Sequence, residues 1–208
     1  MKICKRYGLL VYPYLFFVLI LQGCGTIASV LPYPSIDSLR NGDIVFRKGG
    51  SAANVFLSAA DSRGIYTHTG LLVIKDGEAM VVHSVPDEAA PGDYDRVKFE
   101  PLSEFYRGIK AFSGGVYRVG SLSSEQLQQV TDEAVRWYEK GVPFDSGYVL
   151  GDTTELYCTE LLMVSFQRVG YDITAGNYTD LNSAIFVGKF IFPSDLLENG
   201  DLRAVSVF

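Results

Sequence analysis

Apolar positions change period along this chain. From Ile65 to Ile74 (IYTHTGLLVI) and from Ala79 to Val85 (AMVVHSV), β-branched and aromatic residues fill two short runs. The four residues between them, Lys75-Asp76-Gly77-Glu78, put Asp-Gly where a two-residue hairpin turn needs it. Asn41-Gly42 turns into a brief strand at Asp43 to Phe46, Gly115 to Val119 reads as another, and Arg203 to Phe208 as the last. Elsewhere the period lengthens. Leu127, Val130, Ala134, Trp137 and Tyr138 recur at intervals suited to one face of a helix, predicted from Ser123 or Ser124, which can cap it, to about Lys140, with Gly141 as the stop. A second helix is predicted from Cys158 to Arg168 and closed by Gly170, with shorter helical segments at Ala52 to Ala60 and Leu102 to Tyr106. Residues 86–98 read as a polar loop and 141–157 as a longer one. The mixture predicts an α+β domain in which a small antiparallel sheet packs against helices.

The first 24 residues follow a different rule. Lys2, Lys5 and Arg6 precede an apolar run from residue 8 to 21, which is marginal for a membrane span of roughly 20 residues and has the layout of a secretory signal. Leu21-Gln22-Gly23-Cys24 resembles a bacterial lipobox, which implies lipidation of Cys24 and a mature chain starting there, tethered to a membrane outside the cytoplasm. Gly25, in place of Asp, fits the periplasmic face of an outer membrane if the source has two membranes. The expected organisation is therefore 1–23 signal, 24–38 lipidated tether, carrying Pro32 and Pro34, and 39–208 one globular domain. Removing the signal takes three cationic side chains and no acidic ones, leaving 15 basic against 24 acidic groups, a net charge of −9. Such a surface argues against nucleic acid as a partner. The oligomeric state is not legible.

Of three cysteines, Cys4 leaves with the signal and Cys24 with the lipid, so Cys158 is a thiol without an intramolecular disulfide partner. It stands at the predicted start of a helix, where the backbone dipole favours negative charge and should lower the thiol pKa. Both histidines of the chain lie on the predicted hairpin. If Asp76 and Gly77 form the turn, Lys75 pairs with Glu78 and His83 falls opposite Gly70. His68 and Gly70 share a face by alternation, so the two imidazoles become diagonal neighbours, roughly 7 to 8 Å apart at the backbone, with Gly70 leaving room between them. A cysteine at a helix start and a histidine pair are the components of an activated nucleophile: Cys158 attacks, His68 is the base, and His83 orients it. The N–H of Cys158 can serve as one oxyanion donor. Tyr66 and Tyr157 flank the site in sequence and are candidates for substrate or oxyanion contact. Glu160 is a candidate for a substrate amine, though a solvated first-turn acid is the simpler reading, and Asp145 reads as a loop-fixing residue.

Five blocks in order, GDIVF (42–46), THTGLLV (67–73), GVPFD (141–145), LYCTELLM (156–163) and FPSDL (192–196), resemble the signatures of the permuted papain-like amidases of the YaeF and YiiX type, relatives of the NlpC-type and lecithin retinol acyltransferase-like enzymes. The resemblance spans roughly residues 39 to 197. The order is the permuted one, with the histidine strand before the cysteine helix. It implies a circularly permuted papain-like fold, Cys158 as nucleophile, His68 as base, His83 where relatives carry a carboxylate or a histidine, and no cofactor. The expected activity is a cysteine hydrolase, a peptidase or amidase cleaving amide bonds in cell-wall peptides or N-acyl amino acids. Alternatives from the same residues are an acyltransferase or lipase of that fold, a zinc site on Cys158, His68 and His83, and a catalytically silent envelope-binding lipoprotein.

Overall fold

The computed structural model describes residues 29–50, 60–61, 63–182 and 187–208. The expected signal, Cys24 and nearly all of the expected helix at Ala52 to Ala60 lie outside the described residues. Six strands form one antiparallel sheet: β1 (Ile44–Lys48), β2 (His68–Lys75), β3 (Glu78–Ser84), β4 (Val97–Pro101), β5 (Ser113–Val119) and β8 (Leu202–Val207), in the spatial order β4-β3-β2-β1-β5-β8. A separate hairpin pairs β6 (Thr179–Asn182) with β7 (Val187–Phe190). The α-helices bounded within the described residues are α1 (Leu102–Phe105), α2 (Ser124–Glu139), α3 (Cys158–Gln167) and α4 (Pro193–Leu197), with a 3-10 turn at Ile36–Ser38.

The sheet has two covered faces, and each follows from alternation. Ile44 and Phe46 of β1, Leu71 and Val73 of β2 and Val82 of β3 join Leu127 and Val130 of α2 and Leu161, Leu162 and Phe166 of α3 in the larger core. The alternate residues Val45, Leu72 and Val81 join Leu102, Phe105 and Tyr106 in a smaller one on the opposite face. Burying this much aliphatic and aromatic surface is the main favourable term in folding.

Most predicted elements are present with ends shifted by one to three residues. The β2–β3 turn has Asp76 and Gly77 both at positive φ, 52° and 81°, as the primed hairpin turn demands. Ser123 caps α2 in a reciprocal capping box with Gln126, and Gly141 and Gly170 take positive φ after α2 and α3. The polar-loop reading of 86–98 needs correction at its end: Val97 opens β4, which pairs with β3 and extends the sheet. Its charged residues, Lys98 and Glu100, hid the strand, because they face other charges instead of water. The hairpin β6–β7 and helix α4 were also not predicted.

Candidate active site

The hairpin register is the one the turn predicts: Lys75 pairs with Glu78 and Leu71 with Val82. His68 and His83 meet, with His68 Nε2 2.8 Å from His83 Nδ1. Gly70 makes the approach possible, since a Cβ there would lie 2.5 Å from Val81 Cγ1 and 3.0 Å from His83 Cβ. Both imidazoles are buried and pack on the ring of Phe105, at centroid distances of 5.7 Å for His68 and 5.3 Å for His83. Burial, followed by the positive charge of Arg47, holds His68 well below the ordinary imidazole range. His83 is also lowered, by burial first, with Glu100 opposing. Both rings are therefore neutral at neutral pH.

Beneath the pair lies a charge cluster drawn from four segments. Arg47, opposite His68 across β1–β2, is 1% exposed; it donates to the carbonyl of Phe105 at 2.9 Å, pairs with Glu88, and stacks its guanidinium 4.6 Å from the Phe105 centroid. Glu88 also meets Lys98 at 3.2 Å and Lys110 at 2.7 Å. Glu100 meets Lys98 at 3.1 Å, Lys110 at 3.2 Å and His83 Nε2 at 3.2 Å. Burial works against both carboxylates, but Arg47 and Lys110 outweigh it at Glu88, and His83 and the lysines outweigh it at Glu100, so both remain ionised. None of these charged residues stood out in the sequence. The alternation Val97-Lys98-Phe99-Glu100 was the signal available, since it places Lys98 opposite His83 once β4 is recognised.

Cys158 is the first residue of α3, with Tyr157 as N-cap in extended conformation. Two contacts hold this helix start: Ser84, next to His83 on β3, donates to the carbonyl of Leu156 at 2.6 Å, and Thr159 donates to the carbonyl of Ile191, just past β7, at 2.6 Å. The thiol is buried. Burial pushes it up to about 11, and the N–H groups of Thr69, Thr159 and Cys158 itself, with the charge of Arg47, offset only part of that. The lowered thiol expected from the helix dipole is thus reversed, because desolvation exceeds the effect of the helix end. The expected position is retained. The Thr69 N–H, on the residue after His68, is among the groups that favour the thiolate, so β2 carries both the imidazole and part of what offsets burial at the thiol.

The remaining candidates divide. Tyr66 lies in the larger core, and its hydroxyl donates to the carbonyl of Gly114 at 3.3 Å, so it is committed to the sheet rather than to an oxyanion. Tyr157 adjoins the thiol in sequence; its hydroxyl accepts from the Ile191 N–H at 3.3 Å, which leaves its own proton to donate. Glu160 is not the solvated acid expected. It is fully buried, accepts from the Gly151 N–H at 2.7 Å through Oε1, and has no hydrogen-bond partner for Oε2 among the described residues. Burial, with the nearby charge of Asp145, raises its pKa to about 7. Asp145 does fix the loop, accepting from Gly147 N–H at 2.8 Å and Val149 N–H at 2.6 Å. Together these carboxylates shape the 145–151 segment that borders the thiol.

No family model and no curated protein matches the sequence. Among solved structures, the crystal structure of metalloprotein yiiX from Escherichia coli O157:H7 superposes with a TM-score of 0.65 at 23% identity, over 81% of this chain and 97% of that one. The chain has the yiiX fold. It is α+β, a six-stranded antiparallel sheet with few helices, and the histidine strands precede the cysteine helix, the permuted papain-like order. The yiiX structure is described as that of a metalloprotein. The residues here do not fit a metal as they stand: among the described residues no group of three His, Cys, Asp or Glu side chains is arranged to hold one. The two facing nitrogens at 2.8 Å are in hydrogen-bonding contact, closer than the roughly 3.3 Å between two nitrogens of one tetrahedral zinc.

Proposed function

We propose that this protein is a cysteine hydrolase that cleaves amide bonds through an acyl-enzyme on Cys158. The observation that carries the reading is the His68–His83 contact at 2.8 Å beside the start of α3, which Ser84, the residue after His83, ties to β3 by donating to the Leu156 carbonyl at 2.6 Å. In the resting site thiol and imidazole are both neutral. As substrate binds, the thiol proton passes to a ring nitrogen of His68 while sulfur attacks the carbonyl carbon, and the N–H of Cys158 stabilises the oxyanion. The imidazolium then protonates the leaving amine, a thioester remains on Cys158, and water hydrolyses it with His68 again as base. His83 holds the ring of His68 throughout.

A cavity with a mixed apolar and cationic lining bears on the acyl group. About 360 Å³ in volume, it lies between the 147–150 loop and β7, lined by Tyr148, Val149, Leu150, Val187 and Phe190 together with the charged Lys189 and the backbone of Gly147 and Gly188, with Val149 and Val187 exposed. Tyr148 lies close enough to Cys158 and Asp145 for their charges to raise its phenol, after burial itself. N-acyl amino acids and cell-wall peptides with an apolar residue at the cleaved bond are the substrates that fit this reading. The test is mass spectrometry of the full chain after exposure to such acyl donors. A mass increase matching the acyl group on the peptide containing Cys158, absent in Cys158→Ala, is expected; turnover without any adduct, undiminished in Cys158→Ala, would sink the reading.

The same proposal places the enzyme at a membrane outside the cytoplasm, through lipid on Cys24, on the strength of Leu21-Gln22-Gly23-Cys24. Cys24→Ser is expected to release the protein from membranes or leave an uncleaved precursor. Metabolic palmitate labelling that persists in the variant refutes the assignment.

A further inference from the structure

The two histidines leave a question that distance alone does not answer: which nitrogen of His68 is free to take the thiol proton. Neutral imidazole has one donor and one acceptor nitrogen, and the neighbours decide which is which. His83 Nε2 lies 3.2 Å from Glu100 Oε1. This nitrogen has no hydrogen-bond partner among the described residues, so the contact is electrostatic, and its sign is unambiguous. A lone pair facing a carboxylate at this distance is repelled, whereas an N–H is attracted. Glu100 is itself held as a carboxylate by Lys98 at 3.1 Å and Lys110 at 3.2 Å. These two lysines also reach Glu88, which pairs with Arg47, so neutralising Glu100 would leave buried positive charge uncompensated.

We propose that Glu100 is a positioning residue that sets the tautomers of both histidines and so selects Nδ1 of His68 as the catalytic base. The chain of consequence has three links. Glu100 puts the proton of His83 on Nε2. His83 Nδ1 is then an acceptor, and because it faces His68 Nε2 at 2.8 Å, the proton of His68 must also lie on Nε2. Nδ1 of His68 is left as the one basic nitrogen of that ring. When the S–H bond of Cys158 breaks, the proton forms an N–H bond at Nδ1, and the positive charge created on His68 is shared along the hydrogen bond to His83 toward Glu100. The inference rests on the reading of His68 as base and adds a fourth member, contributed by the strand the sequence concealed.

The test is long-range proton–nitrogen NMR of the imidazole rings in the full chain, combined with the rate of Cys158 acylation by p-nitrophenyl acetate. At neutral pH the wild type is expected to show both rings neutral with the proton on Nε2. In Glu100→Leu the His83 preference is lost, His68 populates both tautomers, and acylation slows by roughly tenfold; Glu100→Asp recovers part of the rate. Glu100→Gln keeps the shape if the leucine variant does not fold, and its amide, able to donate or accept, should also mix the tautomers. A wild-type proton on His68 Nδ1 overturns the proposal, as do unchanged tautomers and rate in the substituted proteins. Absence of acylation in the wild type would count against the hydrolase reading, while the ring spectra would still decide the role of Glu100.

Discussion

Cys158→Ala and His68→Ala should each reduce amide hydrolysis to background, a loss of about 10³ to 10⁴ or more, in protein that remains folded by circular dichroism. The two substitutions remove opposite ends of one proton transfer, so the double variant should be no worse than either single one. His83→Ala should be milder, about 10²-fold, because the base survives and only its orientation is lost. His83→Glu should recover less than a carboxylate ordinarily would, since the new side chain would sit beside Glu100, whose own charge already draws on Lys98 and Lys110. Full activity in folded His83→Ala would mean that the 2.8 Å contact has no part in catalysis.

The second large effect is in the pH dependence of the thiol. A free cysteine of pKa near 8.5 is roughly 3% ionised at neutral pH, but one at 11 only about 0.01%. Burial, the main cause of the rise to about 11 at Cys158, favours the protonated form, so thiolate appears only as pH climbs toward that value. Alkylation of the resting protein by iodoacetamide should therefore be slow at pH 7 and rise through pH 9 and 10, with the reactive thiolate at neutrality about three hundredfold scarcer than in an exposed cysteine. Unfolding in urea should bring the midpoint back toward 8.5. His68→Ala should shift the folded-state profile little, because His68 is neutral and forms no ion pair with a thiolate. A folded-state midpoint below 8.5 would show instead that a charged pair exists before substrate arrives.

How much of this was legible depended on whether a signal was local. The β2–β3 turn, the register that follows from it, the meeting of His68 and His83 and the need for Gly70 could all be read from residues 65 to 85, because a two-residue turn fixes every later pair across the strands. The start of α3 at Cys158 was equally plain. The thiol's protonation was not, because it depends on burial that only the assembled fold creates, and no sequence window contains it. Glu160 failed for the same reason: a first-turn acid looks solvated until the preceding loop folds over it and supplies Gly151 N–H. β4 escaped notice because pattern reading treats charge as a sign of solvent, and here Lys98 and Glu100 satisfy one another, Glu88 and Lys110 under the sheet.

The hairpin that joins the histidines has a bearing on assembly. The imidazoles are separated by 15 residues along the chain, whereas Cys158 lies 90 positions beyond His68. Closing a tight two-residue turn requires little loop entropy and takes on the order of microseconds, while docking a distant helix onto the sheet must wait for longer-range contacts. The acid–base half of the site can form in a nascent chain that still lacks its nucleophile, and the thiol acquires a partner only when Ser84 and Thr159 fasten the start of α3. Chain order therefore leaves chemical competence until α3 has docked, so a chain that ends before residue 158 holds a histidine pair with nothing yet to deprotonate.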